Sequence, residues 1–169
     1  HNVFEASEMN MKRAVANKPF ETKDLFFMQR ALDLATAAAK IGEVPVGAVV
    51  TYRSQIVGEG ANSCIRNVDP TAHAEIIALR DASMSLGNYR LPGAELFVTL
   101  EPCTMCVGAI IHARIKRVVF AALDSRSGAV CSCSETFDQK YHNHHVKWAH
   151  GLLAEESGNL LRSFFLERR

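Results

Sequence analysis

The sequence predicts an α/β fold, one domain in which a mixed sheet carries helices on both faces. Three observations predict it. A stretch with helical hydrophobic period comes first. Two β-branched apolar runs joined by a tight turn follow directly. The remainder alternates apolar runs of strand length with helix-period stretches.

The elements follow in order. Residues 25–41 repeat Met28, Ala31, Leu32, Ala35 and Ala38 at three- and four-residue steps, which predicts an amphipathic helix with Thr22 as its N-cap and Gly42 as its stop. Residues 44–52 read as a strand, Arg53 and Ser54 as a turn, and 55–59 as the returning strand. A polar loop over 61–70 leads to a helix over 73–86 that Gly87 and Asn88 end. Residues 94–99 read as a buried strand, 103–112 as a helix and 117–121 as another strand. Residues 123–143 are irregular, 146–149 read as a last strand, and Leu160, Leu161, Phe164 and Phe165 form the apolar stripe of a terminal helix. There is no internal repeat, linker or low-complexity tract.

A chain of 169 residues with 48% hydrophobic and 22% charged residues suits a single globular domain. Residues 1–21 are expected to be a loose arm and 22–169 the domain. No apolar run reaches the ~18 residues of a membrane span, and the acidic, h-region-free opening gives no secretory signal. A net charge of +1 neither announces nor excludes a nucleic-acid partner. Arg162, Arg168 and Arg169 at the C-terminus suit a solvated helix end and phosphate contact equally. Five cysteines, an odd number with no export signal, argue against a disulfide framework and for metal binding in a cytoplasmic protein.

Two segments carry the chemistry, Thr71-Ala72-His73-Ala74-Glu75 and Glu101-Pro102-Cys103-Thr104-Met105-Cys106. Cys103 and Cys106, three apart at a helix start, point their sulfurs the same way, and the unpaired N–H groups there favour thiolate. Pro102 fits the first turn. Alone, this CxxC also suits half of a structural zinc knuckle or a redox pair, although the one further pair, Cys131 and Cys133, has CxC spacing in a loop. In a regular helix, positions two apart point about 200° from each other. His73 and Glu75 therefore share a site only if His73 stands at or before the helix start. In isolation the fragment reads as the acidic first turn of a surface helix.

Together the segments offer one His and two Cys. Three protein ligands leave zinc a fourth position for water, which marks a catalytic site. Zinc lowers the pKa of that water from ~15.7 toward ~7. An unligated carboxylate, Glu75, is the matching proton shuttle for hydrolytic deamination of a nucleobase, the known use of an H-x-E…P-C-x-x-C signature.

With those motifs, and with the stretches over 44–49, 69–76, 88–91, 98–103, 111–115 and 117–120, the chain from about residue 25 to its end resembles the bacterial tRNA-specific adenosine deaminases of the zinc-dependent cytidine/deoxycytidylate deaminase superfamily. The resemblance implies a three-layer α/β/α fold with a central five-stranded mixed sheet, and a homodimer with one zinc per subunit. It implies conversion of adenosine to inosine at the wobble position of an arginine tRNA anticodon stem-loop, by hydroxide attack on C6 with Glu75 moving protons. It places Asn62, Val46 and Ala48 around the nucleoside. It places Asp124, Asn143, His144, Phe165 and Arg168 near the RNA. The departures are Cys64, Cys131, Cys133, and Leu123 where a basic residue is expected. Local alternatives stand beside these roles: Asn62 and Asp124 as turn supports, Trp148 and the two phenylalanines as core, and His142, His144 and His145 as a polar loop. At the level of function the alternatives are a deaminase of free guanine or cytosine, and a non-catalytic zinc module that binds RNA.

Overall fold

The computed structural model describes residues 20–168. The expected arm over 1–21 lies outside the described residues except for Phe20 and Glu21, and Glu21 is the N-cap of the first helix.

Helix α1 spans Thr22–Lys40, and the hairpin of β1 (Gly47–Tyr52) and β2 (Gln55–Ala61) follows. Then come α2 (Ala74–Leu86), β3 (Glu95–Leu100), α3 (Thr104–His112) and β4 (Arg117–Ala122). A short 3-10 turn at Thr136–Asp138, β5 (Lys147–His150) and α4 (Ala154–Leu166) complete the fold. The five-stranded sheet has the order β2-β1-β3-β4-β5. β1 is antiparallel to β2 and β3, whereas β3, β4 and β5 run parallel. The mixed sheet of the sequence reading is therefore observed.

Side-chain alternation builds two cores from one sheet. Ala48, Val50, Leu96, Val98, Val118 and Phe120 face Ala74, Ala78 and Ala82 of α2 and Val107 and Ile110 of α3. Val49, Phe97, Val119 and Ala121 face Phe27, Met28 and Ala31 of α1. α4 packs against β4, with Ser157 donating from its hydroxyl to the Thr99 carbonyl at 2.5 Å.

Helix-to-sheet contact is close because glycines allow it. A Cβ on Gly60 would stand 2.4 Å from the Ala74 carbonyl oxygen. The first turn of α2 is thereby seated directly on β2.

Most strand and helix ends differ from the sequence reading by one or two residues, and three differences have a visible cause. α1 begins three residues early, capped by Glu21 rather than Thr22, because the Asp24 carboxylate accepts the Glu21 N–H at 2.8 Å. β1 begins at Gly47 rather than 44: the Val46 N–H turns back onto the Val44 carbonyl at 2.8 Å, and Pro45 has no N–H to offer a ladder. Cys103 is the N-cap of α3, so Pro102 precedes the helix and does not occupy its first turn.

Candidate active site

The parallel strands deliver their C-terminal ends to one edge of the sheet, and both motifs stand there. His73 is the N-cap of α2, with extended backbone at φ −71° and ψ 154°. It is outside the helical spiral, so Glu75, at the second helical position, shares its side of the helix start. The Asn62 side-chain oxygen accepts the Ala74 N–H at 2.8 Å, tying the β2 end to the α2 start. Asp69 braces the approach by accepting the Thr71 N–H at 2.8 Å and hydroxyl at 2.7 Å. These bonds hold its carboxyl below the usual range.

Cys103 follows the β3 end as the N-cap of α3, again extended at φ −79° and ψ 174°, and Cys106 lies buried one turn on. The His73 Nδ1 is 3.6 Å from each sulfur. All three ligand atoms lie within 4.8 Å of one another. A tetrahedral zinc with bonds of about 2.05 Å to nitrogen and about 2.3 Å to sulfur holds such atoms about 3.6 Å apart. Donor types and spacing therefore both fit zinc. The two sulfurs share a proton in the absence of metal: the bond from Cys106 pulls the Cys103 thiol down to about 4, and the same bond together with burial pushes Cys106 up. The bond to Cys103 raises His73.

The family model for the zinc-binding region of cytidine and deoxycytidylate deaminases matches residues 21–122. The tRNA-specific adenosine deaminase of Haemophilus influenzae is 49% identical over 160 residues, covering 94% of this chain and 91% of that protein. The chain belongs to the tRNA-specific adenosine deaminase family. A solved structure from work on A-to-I editing by tRNA:A34 deaminases at the wobble position superposes with a TM-score of 0.78 at 43% identity, covering 80% of this chain and 99% of the other. Guanine deaminase from Nitrosomonas europaea is more distant, with a TM-score of 0.67 at 25% identity and 82% of each chain covered. The chain is thus a zinc-dependent deaminase with a cytidine deaminase-like fold, and His73, Cys103 and Cys106 are placed to hold the ion.

Within this deaminase, Glu75 is 4% exposed and burial pushes its carboxyl up. Burial thus makes it readier to hold a proton than an exposed carboxyl. Two further carboxylates organise the flanking loops and had no role in the sequence reading. Glu43, 2% exposed, accepts the backbone N–H groups of Ile65 at 3.3 Å and Arg66 at 2.7 Å. Glu101, 3% exposed, accepts those of Asp124, Val130, Cys131 and Ser132 at 3.0–3.1 Å. Glu101 does carry one sequence signal: it is an acid in an apolar run immediately before Pro102-Cys103.

The remaining expected site residues separate into three groups. At the metal edge stand Asn62, Val46, Ala48 and Asp124. Val46 and Ala48 are buried in the core beneath the site. The Asp124 carboxylate accepts the N–H groups of Arg126 at 3.0 Å and Ser127 at 3.2 Å, so it supports a local turn. Asn143 and His144 stand elsewhere. Asn143 is exposed, and the His144 Nε2 pairs with the Ile115 carbonyl at 2.7 Å, just before β4 begins. That edge is about 20 Å, one six-residue strand, from the metal. On α4, Phe165 is half exposed, while Arg168 lies with its guanidinium carbon 3.6 Å from the buried Phe164 ring centre and donates to the Phe164 carbonyl at 3.3 Å. Arg169 lies outside the described residues. His142 pairs with the Thr136 carbonyl at 2.7 Å, so the His-rich stretch binds backbone. Trp148 stacks against Phe120 at the sheet margin. Cys64, Cys131 and Cys133 are free thiols. Among the described residues, no helix is long and apolar enough to cross a membrane.

Proposed function

We propose that the chain converts adenosine to inosine at the wobble position of an arginine tRNA anticodon, releasing ammonia. The observation that carries the reaction is the buried, unligated carboxyl of Glu75 beside the His73–Cys103–Cys106 triangle. A structural zinc site has no use for such a group. The substrate reading is supported by the near-full-length similarity to the tRNA enzymes against the weaker likeness to guanine deaminase.

Zinc held by the triangle supplies the Lewis acidity that makes water nucleophilic near pH 7. Glu75 accepts a proton from the attacking water and passes it to the purine ring nitrogen as oxygen adds at C6. It then takes the second proton of that water from the new C6 hydroxyl and delivers it to the exocyclic amine as the C–N bond breaks and the C6 carbonyl forms, so water and adenosine give inosine and ammonia. Asn62 has its oxygen committed to Ala74, which leaves its NH₂ to donate to the nucleoside. The target base enters flipped out of its stack. Asp124, Phe165 and Arg168 are proposed RNA contacts near the metal edge, with Asn143 and His144 meeting RNA only away from the reacting base. We further propose a homodimer with one zinc per subunit in the cytoplasm. Light scattering that gives a monomer at micromolar concentration overturns the dimer.

Single-turnover deamination of an arginine tRNA anticodon stem-loop, beside free adenosine, cytidine and guanine, tests the substrate. Inosine in the stem-loop alone is expected. Ammonia from a free base with the stem-loop untouched replaces the substrate and retains the zinc chemistry.

A further inference from the structure

Glu101 lies between the last residue of β3 and the zinc ligand Cys103. A buried carboxylate is tolerated only where hydrogen bonds replace its lost water. Here they come from both arms of one loop. Oε1 accepts the Asp124 N–H at 3.1 Å and the Ser132 hydroxyl. Oε2 accepts Val130 at 3.1 Å, and Cys131 and Ser132 at 3.0 Å each. The neighbouring Pro102 carbonyl accepts the Ala129 N–H at 2.9 Å. Gly128 lies against the same carboxylate, where a Cβ would meet the carboxyl carbon at 2.3 Å. Residues 124–132 are therefore fastened to the two residues that precede a metal ligand, and they present exposed Ser125, Arg126 and Ser127 beside the site.

We propose that Glu101 is a positioning residue, a carboxylate clamp that holds the 124–132 loop in its RNA-receiving position and so sets the substrate KM. The proposal rests on the RNA reading above. A loop fixed before binding loses less freedom when the RNA arrives, so releasing it weakens binding rather than the chemical step. The ligand triangle has its own supports: the Val107 N–H reaches the Cys103 carbonyl at 2.9 Å, and the Glu101 N–H reaches the Ala122 carbonyl at 2.8 Å. Neither involves the carboxylate.

The test uses the zinc-loaded full chain and two variants, Glu101→Gln and Gly128→Ala. Gln keeps the size but turns an NH₂ toward N–H donors, and Ala displaces the carboxylate from the other side. Hydrogen exchange is expected to quicken about tenfold or more at 124 and 130–132, with α2 and α3 protected as in the wild type. Zinc stays at one per chain, KM for the stem-loop rises about tenfold, and kcat stays within about threefold. Unchanged loop exchange in either variant, exchange quickened evenly along the chain, loss of zinc, or a fall in kcat at constant KM each overturns the clamp. If the wild type ignores the stem-loop, the RNA reading falls by itself. Exchange still decides the clamp, and KM is then read on whichever base the wild type accepts.

Discussion

Replacing Glu75 with Gln separates proton transfer from architecture. The side chain is 4% exposed and burial pushes its carboxyl up, so the charge that Gln removes is one the fold disfavours. Stability should therefore change by less than about 1 kcal/mol, since shape is conserved and the lost charge is one that burial penalises. Glu75 is not one of the three clustered ligand residues, so zinc content should stay at one per chain. Loss of a general acid–base typically removes ~10²–10⁴ in rate, which is about 2.7–5.4 kcal/mol of barrier. Because Glu75 serves both the ring nitrogen and the leaving amine, the upper part of that range is expected. The assay is single-turnover inosine formation, read beside zinc stoichiometry and a thermal melt. A rate within tenfold of wild type, zinc retained, refutes the shuttle role. Loss of zinc instead makes Glu75 a ligand, and an unfolded variant refutes the argument from burial.

Other perturbations test the frame. Arg117→Met takes from the 1%-exposed Asp24 the guanidinium it pairs with at 2.7 Å, leaving it the Glu21 N–H, and removes the 2.8 Å pair with Glu95. Breaking a buried pair from one side costs about 3–5 kcal/mol, or very roughly 6–20 °C in Tm by differential scanning calorimetry, while kcat of the folded fraction should hold because the pair lies at the sheet edge away from the metal. A wild-type melt excludes that account. Gly60→Ala drives a Cβ to 2.4 Å from the Ala74 carbonyl and displaces the α2 start that carries His73. A loss of about 1–3 kcal/mol with weaker zinc retention in a chelator competition is expected, and destabilisation with unchanged zinc affinity counts against the coupling. Zinc uptake should also release protons. At pH 7 Cys106 must give up its own, whereas Cys103, held down to about 4, has none to give. His73 is raised, so its charged form gains population as pH falls, and it must be neutral to bind metal. Proton release measured calorimetrically in two buffers should thus be net positive at pH 7, with zinc affinity falling as pH falls. No net release contradicts the shared-proton picture.

What the sequence reveals and what it conceals divide along chain distance. The helix geometry that separates residues two apart forces His73 out of α2, and the structure has it there as the N-cap. That inference needs only neighbours. So does the alternation that sends Val49 and Val50 to opposite faces of the sheet. The errors at Thr22 and Pro102 are shifts of a residue or so, because several polar or proline positions satisfy a helix start equally well until the backbone bonds choose among them. The two loop carboxylates are concealed for a different reason. Glu43 reaches backbone 22 and 23 residues ahead, and Glu101 reaches 23 to 31 ahead. Each bonds main-chain N–H groups, which every residue but proline possesses, so no side-chain pattern in the target loop announces the partner. The place of Asn143 and His144 at the edge opposite the metal is concealed on similar grounds: residues 123–143 have no period from which to count, and the direction of β5 is set by pairing with β4 rather than by local sequence. Metal ligands must be chemically special and are legible. A clamp on backbone amides needs only one buried acid, and only the fold shows what that acid holds.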